Sequence, residues 1–152
     1  MSNVKEVNMS TRCQIGFYES KDSKIEDPKA LIYRHSDGYP GDLPKEEYGV
    51  LQDIVPFLRW FKKTRGINDT EYVAARLLQW LCNQYDGFVQ MTAPRSFEED
   101  KAFTGLLGHG ICKEFHMDIE YYYRIYPDAV EVYDVKWDSK PKTWKKIQTI
   151  KL

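Results

Sequence analysis

Along TRCQIGFYE, residues 11–19, Cys13, Ile15 and Phe17 alternate with Arg12, Gln14 and Tyr18. A period of two predicts a half-buried strand. The polar loop SKDSKIEDP separates it from a second strand-like run, KALIYRH over 29–35. Two strands joined by nine polar residues predict an antiparallel hairpin. The period then changes: Val50, Leu51, Ile54, Phe57, Leu58 and Phe61 fall at helical spacing, and Lys62, Lys63 and Arg65 precede Gly66 as a stop signal. Pro56 conflicts with an unbroken helix, because proline lacks an N–H and crowds the preceding turn, so a break or a late start is expected there. A second helix is predicted from an Asn68 cap, with Glu71 three residues on, to a stop at Gly87. Tyr72, Val73, Leu77, Trp80, Leu81 and Tyr85 form its apolar face, whose Trp and Tyr are expected in the core.

From Phe88 the pattern weakens. Ser96 with Glu99 suggests one more short helix, and Gly105, Gly108 and Gly110 suggest a loop; a phosphate-cradling fingerprint is disfavoured because a strand rather than a helix follows Gly110. The end of the chain reads as β. Ile119, Tyr121, Tyr123 and Ile125 alternate with Glu120, Tyr122, Arg124 and Tyr126, then AVEVYDVKW returns, and TWKKIQTIKL offers an edge strand. The order ββ-αα(α)-βββ, with no βαβ alternation, predicts a single α+β domain over 10–152, an antiparallel sheet with helices packed on one face. Residues 1–9 lack periodicity and are expected to form a disordered extension.

Composition narrows the function classes. The net charge of −1, with acids and bases interleaved, makes nucleic acid an unlikely partner and gives no attraction to anionic membrane. The basic tail from Lys136, with six lysines and one acid, reads as a lysine-protected sheet edge rather than a phosphate-binding surface. Cys13, Cys82 and Cys112 are odd in number and far apart, so no disulfide framework is expected. With no signal-like or membrane-spanning run, a cytoplasmic location is expected. Aromatic residues make up 14% of the chain, including 11 Tyr and 4 Trp, which favours a recognition surface.

Candidate chemistry concentrates in LIYRHSDGYPGDLP, residues 31–44. Arg34 can clamp an anion, His35 can exchange a proton, Asp37 can orient the imidazole, and Tyr33 and Tyr39 can stack on a flat ring. The same residues also suit a corner: Asp-Gly favours turns, and Asp42 can cap the following helix. On a strand, Arg34 and His35 point to opposite faces. No two of His35, His109 and His116 have metal-ligand spacing, and no cofactor is expected.

The strings TRCQIGFY and LIYRHSDGYPGDLP, followed by FLRWF, AARLLQWL and IEYYYRIYP, resemble an uncharacterised group of small phage, prophage and prokaryotic proteins with a Tyr-Arg-His-x-Asp-Gly-Tyr-Pro signature. The resemblance implies a viral or mobile-element accessory role and brings no activity or catalytic residues. The expectation is therefore a binding or interaction domain that holds an anionic or nucleotide-like ligand at Tyr33, Arg34, His35, Asp37 and Tyr39, or a protein partner. The alternatives are a small hydrolase or phosphodiesterase using His35 and Asp37, and a scaffold that self-associates as a homo-oligomer.

Overall fold

Strand β1 (Cys13–Phe17) is buried on both faces rather than one, because side chains pack against the sheet from both sides. A computed structural model describes residues 11–85, 108–135 and 140–152 of the chain. Strand β2 (Ala30–Arg34) pairs with β1 antiparallel, as the hairpin pattern predicts. Two helices follow, α1 (Val50–Thr64) and α2 (Thr70–Tyr85). The chain returns through β3 (His109–Ile111), β4 (Tyr121–Tyr126), β5 (Ala129–Asp134) and β6 (Lys145–Lys151). The described strands make one six-stranded sheet in the order β3-β2-β1-β4-β5-β6.

The α+β class holds, but the sheet is mixed rather than antiparallel. Strand β4 re-enters beside β1 in the parallel sense, with Cys13 opposite Tyr121 and Phe17 opposite Ile125. Alternation of apolar residues is the same for either direction, so the pattern carried no sign of it. A further strand, β3, stands where a glycine-rich loop was expected, and Gly110 lies opposite Tyr33. Strand β6 is the predicted lysine-bearing edge. The expected N-terminal extension and the short helix near Ser96 lie outside the described residues.

Both helices cover one face of the sheet. Ile15, Phe17, Ile32, Tyr123, Ile125, Val130 and Val132 meet Leu51, Ile54, Leu58, Leu77 and Leu81 in the main core. Burial of each such side chain is worth roughly 1.5–3 kcal/mol relative to exposure. Helix α1 runs through Pro56, which sits on its exposed side, so the missing N–H disturbs no core contact. At the end of α1, the N–H of Gly66 bonds the Phe61 carbonyl and the glycine takes φ +89°, which is the predicted stop. The cap of α2 is one residue later than expected: the Asp69 carboxylate accepts from the Tyr72 N–H at 3.1 Å.

The opposite face carries a second, smaller core built on Tyr18, Tyr122, Tyr133 and Trp144. A buried polar network crosses it. Arg124 pairs with Glu131 at 3.2 Å, the Tyr126 and Tyr133 hydroxyls donate to the same carboxylate at 2.9 and 2.6 Å, and Lys146 approaches it at 3.5 Å. Burial pushes the Glu131 carboxyl up, but the two phenol hydrogen bonds and the Lys146 and Arg124 charges outweigh it and hold the group below its ordinary value. A carboxyl depressed in the folded state stabilises the fold above its unfolded value of about 4.3, and that contribution is lost as pH falls through the lower folded value. Urea unfolding is expected to record this loss on the acid side, with a shallower acid limb in Glu131→Gln. Identical acid limbs in the two proteins would contradict the assignment.

Candidate functional site

The strand end separates the five residues expected to share a ligand. Arg34 is fully buried on the helix side, where its guanidinium meets Asp53 of α1 at 2.8 Å and the Tyr48 hydroxyl at 3.0 Å, while Nε donates to the Ser36 carbonyl. Tyr33 and His35 lie on the other face. There Arg12 Nε donates to His35 Nδ1 at 3.3 Å, so this nitrogen is an acceptor and the Tyr33 hydroxyl donates to it as well, at 2.9 Å. The imidazole is thus oriented by Arg12 and Tyr33. His116 packs its ring on Tyr33 with centroids 4.5 Å apart.

Asp37 and Tyr39 belong to the joint between sheet and helix. Tyr39 lies edge-on to Tyr48, with centroids 6.1 Å apart, and its phenol is pushed up by burial and then by the Asp37 charge. Asp37 itself adopts φ +56°, the positive value expected of Gly38. Gly38 is required for another reason: a Cβ there would lie 2.8 Å from the Thr11 carbonyl oxygen and 2.9 Å from Cys13. The carbonyls of Tyr39 and Pro40 accept from the N–H groups of Val50 and Leu51, which closes the start of α1. Asp42 was expected in that role, but its carboxylate instead accepts from the Lys45 N–H inside a tight loop.

A different surface has the shape of a binding site. Residues 65–69 turn the chain so that α1 and α2 run antiparallel, Phe57 lying 6.1 Å from Trp80 at one end and Phe61 5.9 Å from Tyr72 at the other, centroid to centroid. Between the helices opens a groove of about 680 Å³, lined by Phe57, Trp60, Phe61, Tyr72 and Trp80. That volume suits a small ligand or a row of partner side chains. Trp60 is 59% exposed and Trp80 43%, although the Trp80 indole N–H donates to the backbone carbonyl of Asp53 at 3.2 Å. Arg65 and Arg76 lie over the Tyr72 ring at 4.4 and 4.9 Å, and Arg76 also bonds Gln79 at 3.1 Å. A hydrogen bond from Arg76 and the two guanidinium charges hold the Tyr72 phenol below its usual value. Among the described residues, the groove lining contains these two cations and no carboxylate.

Other chemistry is less developed. Among the described residues, no group of three His, Cys, Asp or Glu side chains is placed to hold a metal ion. No disulfide joins Cys13, Cys82 and Cys112, and burial pushes Cys13 up to about 12, which leaves it a poor nucleophile. No helix among the described residues is long and apolar enough to cross a membrane. No family model matches the chain, and neither the curated proteins nor the solved structures yielded a match.

Phe57, Phe61, Tyr72 and Trp80 were visible in the sequence as parts of apolar helix faces, whereas Trp60 and Arg76 were not singled out. The signal that separates them is the width of the apolar face. On α2, Val73, Leu77 and Leu81 form one stripe, and Tyr72, Arg76 and Trp80 form a second, of which Tyr72 is half-buried against the core and Arg76 and Trp80 are exposed. On α1, Leu51, Ile54 and Leu58 are buried in the core, while Phe57 is half-buried at its margin and Trp60 is exposed. A helix with more apolar arc than one core contact needs leaves part of that arc in solvent.

Asp53→Ala is expected to cost about 3–5 kcal/mol in urea unfolding, because it removes the carboxylate that the buried Arg34 guanidinium meets at 2.8 Å. Replacing both partners by apolar residues, as in Arg34→Met with Asp53→Leu, should recover most of that loss. A cost below about 1 kcal/mol for Asp53→Ala, the range of an exposed pair, would contradict the role given to it.

Proposed function

We propose that the protein is a small, single-domain binding module of the cytoplasm rather than an enzyme, and that it captures its ligand in the groove between α1 and α2. The observation that supports this is the exposure of Trp60 and Trp80 above an aromatic floor, with Arg65 and Arg76 at one end and no carboxylate among the described lining residues. Leaving such rings in water is unfavourable unless something covers them for part of the time. The anionic ligand expected at the Tyr33–Pro40 turn suits the groove better, since Arg34 is already engaged by Asp53 while Arg65 and Arg76 reach the surface. The hydrolase alternative gains no support from His35, whose oriented nitrogen faces Arg12 and Tyr33. An accessory role in a virus or mobile element stands on the Tyr33–Pro40 signature alone.

An aromatic anion is the appropriate first probe. Anilinonaphthalene sulfonate is expected to bind the folded protein at one site and to quench its tryptophan emission. Trp60→Ala should weaken that binding about tenfold, or about 1.4 kcal/mol, while its exposed position keeps the change in stability within about 0.5 kcal/mol. Equal affinity of wild type and variant for the dye would place the ligand elsewhere and remove the groove from the account.

A further inference from the structure

Resting on the binding reading of the groove, we propose that its natural occupant is an amphipathic α-helix of a partner protein, carrying an aromatic or aliphatic stripe and acidic residues at one end. The shape of the floor is the first reason. Tyr72, Arg76, Trp80 and Asn83 recur at three- and four-residue spacing on α2, and Phe57, Trp60, Phe61 and Thr64 do so on α1. From Tyr72 to Asn83 the lined strip is about 16 Å long at 1.5 Å per residue, which is three turns of a third helix. Two antiparallel ridges with an open seam accept a helix whose anchors recur at i, i+3 or i+4, and i+7.

Backbone chemistry is the second reason. Both walls are helices whose central N–H and C=O groups, apart from the interruption at Pro56, are bonded within the helix, so an extended strand laid in the groove would find no sheet edge to pair with. A helical ligand brings its own backbone satisfied and offers only side chains. The floor also has few polar groups to orient a compact polar metabolite, whereas a row of apolar side chains needs none.

Charge supplies the third reason and the polarity. Between Pro56 and Asn83 the chain carries Arg59, Lys62, Lys63, Arg65 and Arg76 against Asp69 and Glu71, although the whole protein has net charge −1. Arg59 and Lys62 turn away to the Lys151 carbonyl and Asp128, which leaves Arg65 and Arg76 as the cations of the groove lining among the described residues. Arg65 and Arg76 flank Tyr72 at one end of the seam, so the partner's carboxylates gather at that end. Acidic residues favour the first turn of a helix, which orients the partner with its N-terminal turn over Tyr72.

The test uses the full chain and fluorescein-labelled synthetic peptides of three to four turns, read by anisotropy. One peptide has Leu and Phe at i, i+3, i+4 and i+7 with glutamates in its first turn. A second replaces those glutamates by lysine, and a third carries a central proline that prevents a helix. The acidic helical peptide is expected to bind at least tenfold tighter than either of the others. Arg65→Glu with Arg76→Glu, both exposed positions, should reverse the preference between the acidic and basic peptides. Equal binding of all three peptides would overturn the helical, acidic partner. If the aromatic dye depends on Trp60 but no peptide binds, the helix proposal falls and the binding reading stands. If the dye is also indifferent to Trp60, both fall. A dimer seen in sedimentation that Trp60→Ala dissolves would make the occupant a second copy of this chain and overturn the proposal.

Discussion

Asp53 acts in two directions, and much of the structure depends on it. Its carboxylate meets Arg34 of the sheet in the interior, and its backbone carbonyl accepts the indole N–H of Trp80 from α2. An arginine cannot shed its charge when buried, so placing one beneath a helix demands an anion at one defined point of that helix. The energetic return on such a pair is modest, because desolvation consumes most of the attraction. Its effect is registration: α1 can settle on the sheet only where residue 53 stands over residue 34. That placement carries α2 with it and leaves Phe57, Trp60, Tyr72 and Trp80 along an open seam.

The Tyr33–Pro40 segment then becomes intelligible as a joint. Its alternating strand end sends Arg34 inward and leaves Tyr33 and His35 on the far face with Arg12 and His116. Gly38 allows the turn to press on Thr11 and Cys13, and its carbonyl accepts from the buried Tyr123 hydroxyl at 2.7 Å. Tyr39 and Pro40 close the first turn of α1 with their carbonyls. A dense run of charged, aromatic and turn-forming residues here serves to couple a hairpin to a helix at a fixed angle.

The hydrophobic pattern was sufficient for the α+β class, for the β1–β2 hairpin, for the existence of both helices and for the β6 edge. It failed where the information is not periodic. A parallel and an antiparallel neighbour impose the same alternation, so the β1–β4 pairing had no signature, and β3 is too short to show a period. Helix starts shifted because Asn68 and Asp69 are both good caps and only the fold selects between them. The groove escaped notice for a related reason: composition drew attention to titratable residues in a turn, while a Trp and Tyr stripe on a helix resembles core. What distinguishes the groove is excess arc, legible only once the side of α2 facing the sheet is known.

The central claim is that ligand chemistry belongs to the helical hairpin and not to the turn. Proton–nitrogen correlation spectra during titration with an aromatic sulfonate test it most directly. The indole N–H signals of Trp60 and Trp80 are expected to shift together and saturably, while the backbone signals of Tyr33, His35 and Asp37 stay in place. Saturable shifts at the turn with unmoved indoles would contradict it.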